Sequence, residues 1–210
     1  MICSCDGIKL AKAQLTALLE FASKDSESPT LYGVHFVIEG HVCKARATDG
    51  HRAVQCIGQS DGEHPDGQWF VSRDFLDRGK KVIDADQSLR LPFSGASLLE
   101  AKIEPSDTDI EIGSYAWPQD ACRQQVLNVD QFMRLPAHKS ATRCVTLMAQ
   151  YLSSLAVVAK ATAAGLLDCY PPKDPTGPFI AHTGEHEGTA EWMVIIMPQT
   201  VSGAKREKAA

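Results

Sequence analysis

Two periods of apolar positions run through the N-terminal part of the chain. Leu15, Leu18, Leu19 and Ala22 recur at the i, i+3, i+4, i+7 spacing of an amphipathic helix, which predicts one over Ala11 to Ser23. Ahead of it, Ile2, Ile8 and Leu10 around Asp6-Gly7 predict a strand over residues 2–10. After a polar loop at 26–30 that holds Pro29, the period becomes two. Val34, Phe36 and Ile38 alternate, Val42 follows, and Val54 and Cys56 mark a returning strand that ends near Ile57. Between the last two strands, Ala45 to Val54 reads ARATDGHRAV, and Asp49-Gly50 is a strong turn signal. From the residues alone this is an ordinary hairpin with Thr48, Gly50, His51 and Arg52 as a small polar rim.

The order of elements then repeats. Gln59 to Gly67 reads as a connecting loop, and Trp69, Phe70 and Val71 begin a strand. Ser72 stands as an N-cap, with Asp74 in the first turn of a short helix whose apolar side is Phe75, Leu76, Val82 and Ile83. Strands follow over Leu89 to Phe93, Ser97 to Ile103 and Asp109 to Tyr115. Residues 1–57 and 67–116 are therefore each a strand, a helix and several strands, with little sequence identity between them. Residues 118–143 are polar, hold Pro136 and read as a linker. A third unit spans 144–203: a helix with Met148, Leu152, Leu155, Val158 and Ala159 as its core stripe, ended near Gly165, then strands over Leu166 to Tyr170, Pro178 to His182 and Glu191 to Met197. Residues 204–210 read as a disordered tail. The fold class expected is α+β, in repeated units of a helix packed on antiparallel sheet.

Composition narrows the class without choosing a function. The 210 residues are 44% apolar and 22% charged, with a net charge of −5, which argues against a protein coated in nucleic acid but leaves room for a local basic surface. No apolar stretch is long enough to span a bilayer and the N-terminus lacks a signal-peptide pattern, so no membrane and a cytoplasmic location are expected. Seven cysteines without a framework fit a reduced compartment. Cys3 and Cys5 are too closely spaced for a usual metal site and are read as packing residues.

Catalytic chemistry finds little support. His182, Glu185 and His186 fit H-x-x-E-H, but zinc chemistry needs both histidines on one helix face, and Gly184, Gly188, Gly177 and Pro178 favour a hairpin loop. No phosphate-binding glycine loop is present. The reading is no enzyme and no cofactor, with a metal hydrolase using these three residues as a weak alternative.

Two segments carry a resemblance. Leu31 to Phe36 (LYGVHF) with Ala47 to Val54 (ATDGHRAV) resembles the middle domain of the bacterial DNA sliding clamp, the beta subunit of DNA polymerase III. Val194 to Gln199 (VIIMPQ), at the other end of the chain, resembles that family's closing V-V-M-P-M-R. Tyr115 to Leu127 resembles the junction between its middle and last domains, with Asn128 where the family has Pro. The resemblance implies a DNA-clamp-like fold, a shortened chain equivalent to the middle domain plus half of the last, and a processivity role in DNA replication. The family builds a subunit from six half-units and closes a ring as a dimer. Three are counted here, so about four chains would complete a ring, and a homo-oligomer is expected.

The resemblance also assigns residues. Leu31, Thr48, Gly50, His51, Arg52, Ala53, Ile195, Met197 and Pro198 would form the pocket for short peptides of polymerase or repair partners. Ala53 is smaller than the family's Leu, and Gln199 and Thr200 replace its Met and Arg, which makes the groove less apolar. Lys12, Lys24, Arg73, Arg78, Lys80 and Lys81, with Lys160 as a further candidate, would touch duplex DNA without sequence preference. Taken one at a time, each of these cations also fits an ordinary solvated helix face. The alternative function is an adaptor or decoy for clamp-binding peptides that never encircles DNA.

Overall fold

Two ten-residue helices follow directly on two strands, and that repetition organises the molecule. The computed structural model describes residues 1–4, 7–60, 66–91, 101–104, 108–110, 149–162, 165, 167–170, 172, 177–183 and 190–197. Strands β1 (Ile2–Ser4) and β2 (Gly7–Ala11) lead into helix α1 (Lys12–Phe21), followed by β3 (Gly33–Glu39), β4 (Val42–Thr48) and β5 (Arg52–Ser60). Strand β6 (Gly67–Ser72) leads into α2 (Arg73–Val82), then β7 (Ser88–Leu91), β8 (Ala101–Glu104) and β9 (Thr108–Ile110). The third unit holds α3 (Ala149–Ala161), β10 (Asp168–Tyr170), β11 (Phe179–His182) and β12 (Glu191–Ile196). Helix and antiparallel sheet are combined as the α+β expectation had it.

The first two units exchange strands. β6 pairs with β3, from Gly33 opposite Ser72 to Ile38 opposite Gly67. In return β2 pairs with β7, from Ile8 opposite Leu91 to Ala11 opposite Ser88. The strand ahead of each helix thus pairs with a strand of the other unit. Gly33 is where β3 meets β6 most closely: a Cβ there would lie 2.3 Å from the Val71 carbonyl oxygen, so only glycine fits.

The two helices are tied by the same exchange. Lys12, the first residue of α1, donates from Nζ to the Ile83 carbonyl at 2.6 Å, at the C-cap of α2. Arg73, the first residue of α2, donates from Nη1 to the Leu19 and Ala22 carbonyls at 2.7 and 2.9 Å, at the end of α1. Each helix end leaves carbonyls without an intrahelical donor, and a cation there also complements the helix dipole. At the other end of α2, Ser72 caps as expected, its side chain accepting from the Phe75 N–H.

The core lies between helices and sheet. Leu15, Leu18, Leu19 and Phe21 of α1 pack with Val34, Phe36 and Ile38, with Phe75 and Leu76 of α2, and with Val54 and Cys56. The third unit joins through its last strand: β12 pairs antiparallel with β5, from Ile57 opposite Glu191 to Arg52 opposite Ile196, while α3 packs beside α1.

Several boundaries differ from the sequence expectation. The expected single strand over 2–10 is two strands, β1 and β2, paired antiparallel with Ser4 opposite Gly7, and β1 joins β5 in parallel at Gln59 and Ser60. Gln59 and Ser60, expected in a loop, are therefore strand; pairing with β1 and β4 outweighs their polarity. In α3 the core stripe is rotated by one residue. Tyr151, Ser154, Leu155 and Val158 are buried, whereas Leu152 is 55% exposed. Met148, the expected linker and the tail lie outside the described residues.

Candidate functional site

The rim hairpin is built by its own side chains. Asp49 Oδ1 accepts from the His51 and Arg52 N–H groups, both at 3.0 Å, and the Asp49 N–H reaches the Arg52 carbonyl at 3.3 Å. Thr48 Oγ1 donates to the Arg52 carbonyl at 2.8 Å and accepts from the Gly50 N–H at 3.1 Å. Gly50 sits at φ 90°, a conformation that other residues adopt only with strain. Aspartate, threonine and glycine at these positions specify one turn.

Strand β12 runs alongside this hairpin, and its ladder continues past the strand end: the Met197 N–H donates to the His51 carbonyl at 3.0 Å. The two segments singled out from opposite ends of the sequence are therefore neighbours. Opposed residues of an antiparallel ladder share a face, and successive residues alternate. Thr48 is opposite Ala53 and Ala53 opposite Ile195, so these three lie on one face, away from the helices. Met197 follows at the same parity, half-exposed at 38%, at the open end. Leu31 closes the side, its Cδ1 being 3.9 Å from where a Gly50 Cβ would stand. His51 is exposed at the turn. This is an apolar floor of small and medium side chains beside a polar rim. Pro198 lies outside the described residues.

Arg52 has the opposite parity. With Val54 and Ile196 it faces the helices, and the structure places its guanidinium there. Nε donates to Asp49 Oδ2 at 2.8 Å, and Nη2 to the Glu20 carbonyl at 2.8 Å. Nη1 donates to Glu20 Oε1 at 3.2 Å and to Ser154 Oγ of α3. The guanidinium also lies over the rings of Phe21 and Tyr151, at 4.9 and 5.6 Å from their centroids.

Sequence reasoning missed a polar row on the same face as Ala53 and Ile195. His35, Arg46, Gln55 and His182 follow one another across β3, β4, β5 and β11, with Met193 between the last two. Arg46 Nε donates to Gln55 Oε1 at 2.7 Å, and His35 Nε2 is 3.1 Å from the Thr30 carbonyl with its ring edge on Phe70. Burial lowers the His35 pKa, partly opposed by the Thr30 carbonyl. The period-two placement of these residues was readable; that Arg46, Gln55 and His182 are buried was not.

The expected DNA-contacting residues divide. Lys12 and Arg73 are the helix caps described above. Lys80 pairs with Asp77 at 3.0 Å. Lys24, Arg78 and Lys81 are exposed, as is Lys160 on α3. The outward positions of α1 and α3 are otherwise nearly uncharged: Ala13, Thr16, Gln150, Leu152, Ser153 and Ala156.

His182 donates from Nε2 to Glu191 Oε1 at 2.6 Å, between β11 and β12. Glu185 and His186 lie outside the described residues, and among the described residues no group of three or more His, Cys, Asp or Glu side chains is placed to hold a metal. Cys3, Cys43 and Cys56 are buried thiols in the core, and burial pushes the Cys56 thiol up to about 12.

No protein-family model matches the chain, and no curated protein matches it in sequence. Solved structures match it in fold. The beta subunit of DNA polymerase from Streptococcus pyogenes superposes with a TM-score of 0.60 at 16% identity, covering 92% of this chain and 66% of that chain. The DNA polymerase III beta subunit from Borrelia burgdorferi gives 0.58 at 12% identity, covering 93% and 63%. The Helicobacter pylori beta clamp bound to a DNA ligase peptide gives 0.55 at 12%, covering 92% and 65%.

Proposed function

We propose that this chain, which has the fold of the bacterial DNA sliding clamp and spans just under two thirds of the length of the clamps it matches, is a clamp-like protein that binds peptides. Its ligands are short linear segments of DNA polymerase or repair proteins. They occupy the groove between the 48–52 hairpin and the end of β12, and burying one or two large apolar side chains there supplies the affinity. The observation that carries this is the register that sets Thr48, Ala53, Ile195 and Met197 on one face beside the hairpin rim. The Helicobacter pylori clamp, of the same fold, was solved with a DNA ligase peptide, which supports a peptide as the occupant. The domain organisation that goes with this reading is a clamp-like domain over 1–117 and a third half-unit over 144–203, non-catalytic and assembling as a homo-oligomer.

Non-specific contact with duplex DNA is part of the proposal, carried by Lys24, Arg78 and Lys81. The scarcity of charge on the outward positions of α1 and α3 favours a second reading, an adaptor that binds the same peptides without encircling DNA.

The test is fluorescence anisotropy with a labelled clamp-binding peptide from a DNA ligase or polymerase. The wild type should bind. Met197→Asp should abolish binding while the circular dichroism spectrum and melting temperature stay unchanged, because Met197 sits at the open end of the groove. No binding by the wild type at high peptide concentration would overturn the groove assignment. Light scattering across a concentration series separates the two readings: a closed oligomer supports a ring, and a monomer at every concentration supports the adaptor.

A further inference from the structure

We infer that Arg52 is a positioning residue, a latch that fixes the rim hairpin and the seam between the first and third units as one piece. It is not itself a contact for the peptide; the inference deepens the groove reading and rests on it only where peptide affinity is concerned.

Three observations lead to this. The alternation of β5 sends the Arg52 side chain to the helix side of the sheet and Ala53 to the groove side, so Arg52 and a groove ligand are separated by the sheet itself. A guanidinium has five N–H donors, and four are already used, on Asp49, the Glu20 carboxylate, the Glu20 carbonyl and Ser154. Those partners belong to three different pieces of the molecule. Asp49 is the residue that shapes the turn. Glu20, with Phe21 beneath the guanidinium, closes α1. Ser154 and Tyr151 lie on α3. Among the described residues, this cluster joins the third unit to the first beside the β5–β12 ladder and the packing of α3, at the hairpin end of β5.

The chemistry suits a latch. The Arg52 side chain is 11% exposed, so its charge is held away from water and depends on its partners. Removing one partner of such a pair leaves the other buried without compensation, which costs more than the pair itself contributes. A lysine cannot replace it, because a point charge cannot reach Asp49, Glu20 and α3 together. Movement of any one of the three pieces therefore perturbs the other two, and the height of the rim above the Ala53–Ile195 floor is set from the helix side.

Hydrogen exchange on the full chain tests this, comparing wild type with Arg52→Met, Glu20→Gln and Ser154→Ala. All three variants should speed exchange at the hairpin amides 49–52 and at the α3 amides around Ser154 together. Faster exchange confined to the hairpin, or none in either place, would overturn the latch. If Arg52→Met does not fold, Glu20→Gln and Ser154→Ala decide the matter by the same criterion. Peptide affinity gives a second readout that mere loss of stability does not. Glu20 lies behind the sheet, so Glu20→Gln should weaken peptide binding by roughly five- to tenfold, as Arg52→Met does, and the double variant should be no weaker than either alone. A loss seen with Arg52→Met but not with Glu20→Gln would make Arg52 a direct contact and refute the proposal. If the wild type binds no peptide, the groove reading fails, and the exchange experiment still decides the latch.

Discussion

Replacing Arg73 by methionine separates a structural cation from a DNA-contacting one. Methionine keeps the apolar stem and removes the guanidinium, which donates to the Leu19 and Ala22 carbonyls and pairs with Asp77 at 3.4 Å. Hydrogen bonds from a charged donor are each worth about 1.5–3 kcal/mol, and the cation adds about 0.3–1 kcal/mol against the α1 dipole. The Arg73 side chain is 15% exposed, so solvent screening removes little of this, but water and mobile neighbours will reach some of the freed carbonyls. A net loss of about 2–3 kcal/mol follows, and for a chain of this length that is a fall in melting temperature of roughly 4–12 °C. Urea titration with circular dichroism measures it directly; the midpoint should drop with the slope unchanged. The salt dependence of any DNA binding, measured below the melting range, should be unaltered. Wild-type stability together with a shallower salt slope would put Arg73 on phosphate and refute the capping argument.

Three other outcomes follow from named interactions. Gly33→Ala would drive a Cβ to within 2.3 Å of a backbone oxygen and 2.7 Å of Phe70 Cζ, so it should cost about 1–3 kcal/mol by denaturant titration, in the range of overpacked sites. Replacing Lys24, Arg78 and Lys81 by alanine should leave stability within about 0.5 kcal/mol and, if duplex DNA binds, lower the slope of log affinity against log salt by about one for each phosphate no longer neutralised. The Cys56 thiol, raised from 9.0 to about 12 by burial, stays protonated when the unfolded chain's thiol has ionised. Its contribution is thus fully present below pH 9.0 and is lost as pH rises from there toward about 12, at a slope of one proton, which denaturation at a series of alkaline pH values will show and Cys56→Ala will remove.

The pairing of the hairpin with β12 was legible because both segments are strongly patterned and bounded by turn residues. So was α1: Leu15, Leu18 and Leu19 reach the core from the helix and Ala22 from its C-cap. The side taken by Arg52 was also written in the sequence: it stands two residues before Val54, hence on the core side, and counting parity would have moved it off the face that carries Ala53 and Ile195. The roles of Lys12 and Arg73 had no such signal, since the carbonyls they satisfy belong to the other unit and nothing local marks them. The phase of α3 misled for a related reason. Its core stripe includes Ser154, a polar residue whose burial is explained by Arg52 and Glu20, while an apolar neighbour, Leu152, was left outside. Polar residues that serve distant partners escape pattern reading, and this chain places several of them at its joints.

The reciprocal strand exchange between the first two units has a consequence for how such a chain arises. A polypeptide holding one such unit alone would leave the strand ahead of its helix without the partner it finds across the joint, and its leading cation without the carbonyls it donates to. Two copies would cure both defects at once, each lending the strand ahead of its helix and its leading cation to the other, in a symmetric dimer. Joining the copies end to end would remove the dependence on concentration and free the halves to diverge, keeping only what the joint needs. Lys12 and Arg73, chemically different yet at matching first-turn positions, are what such divergence would leave behind.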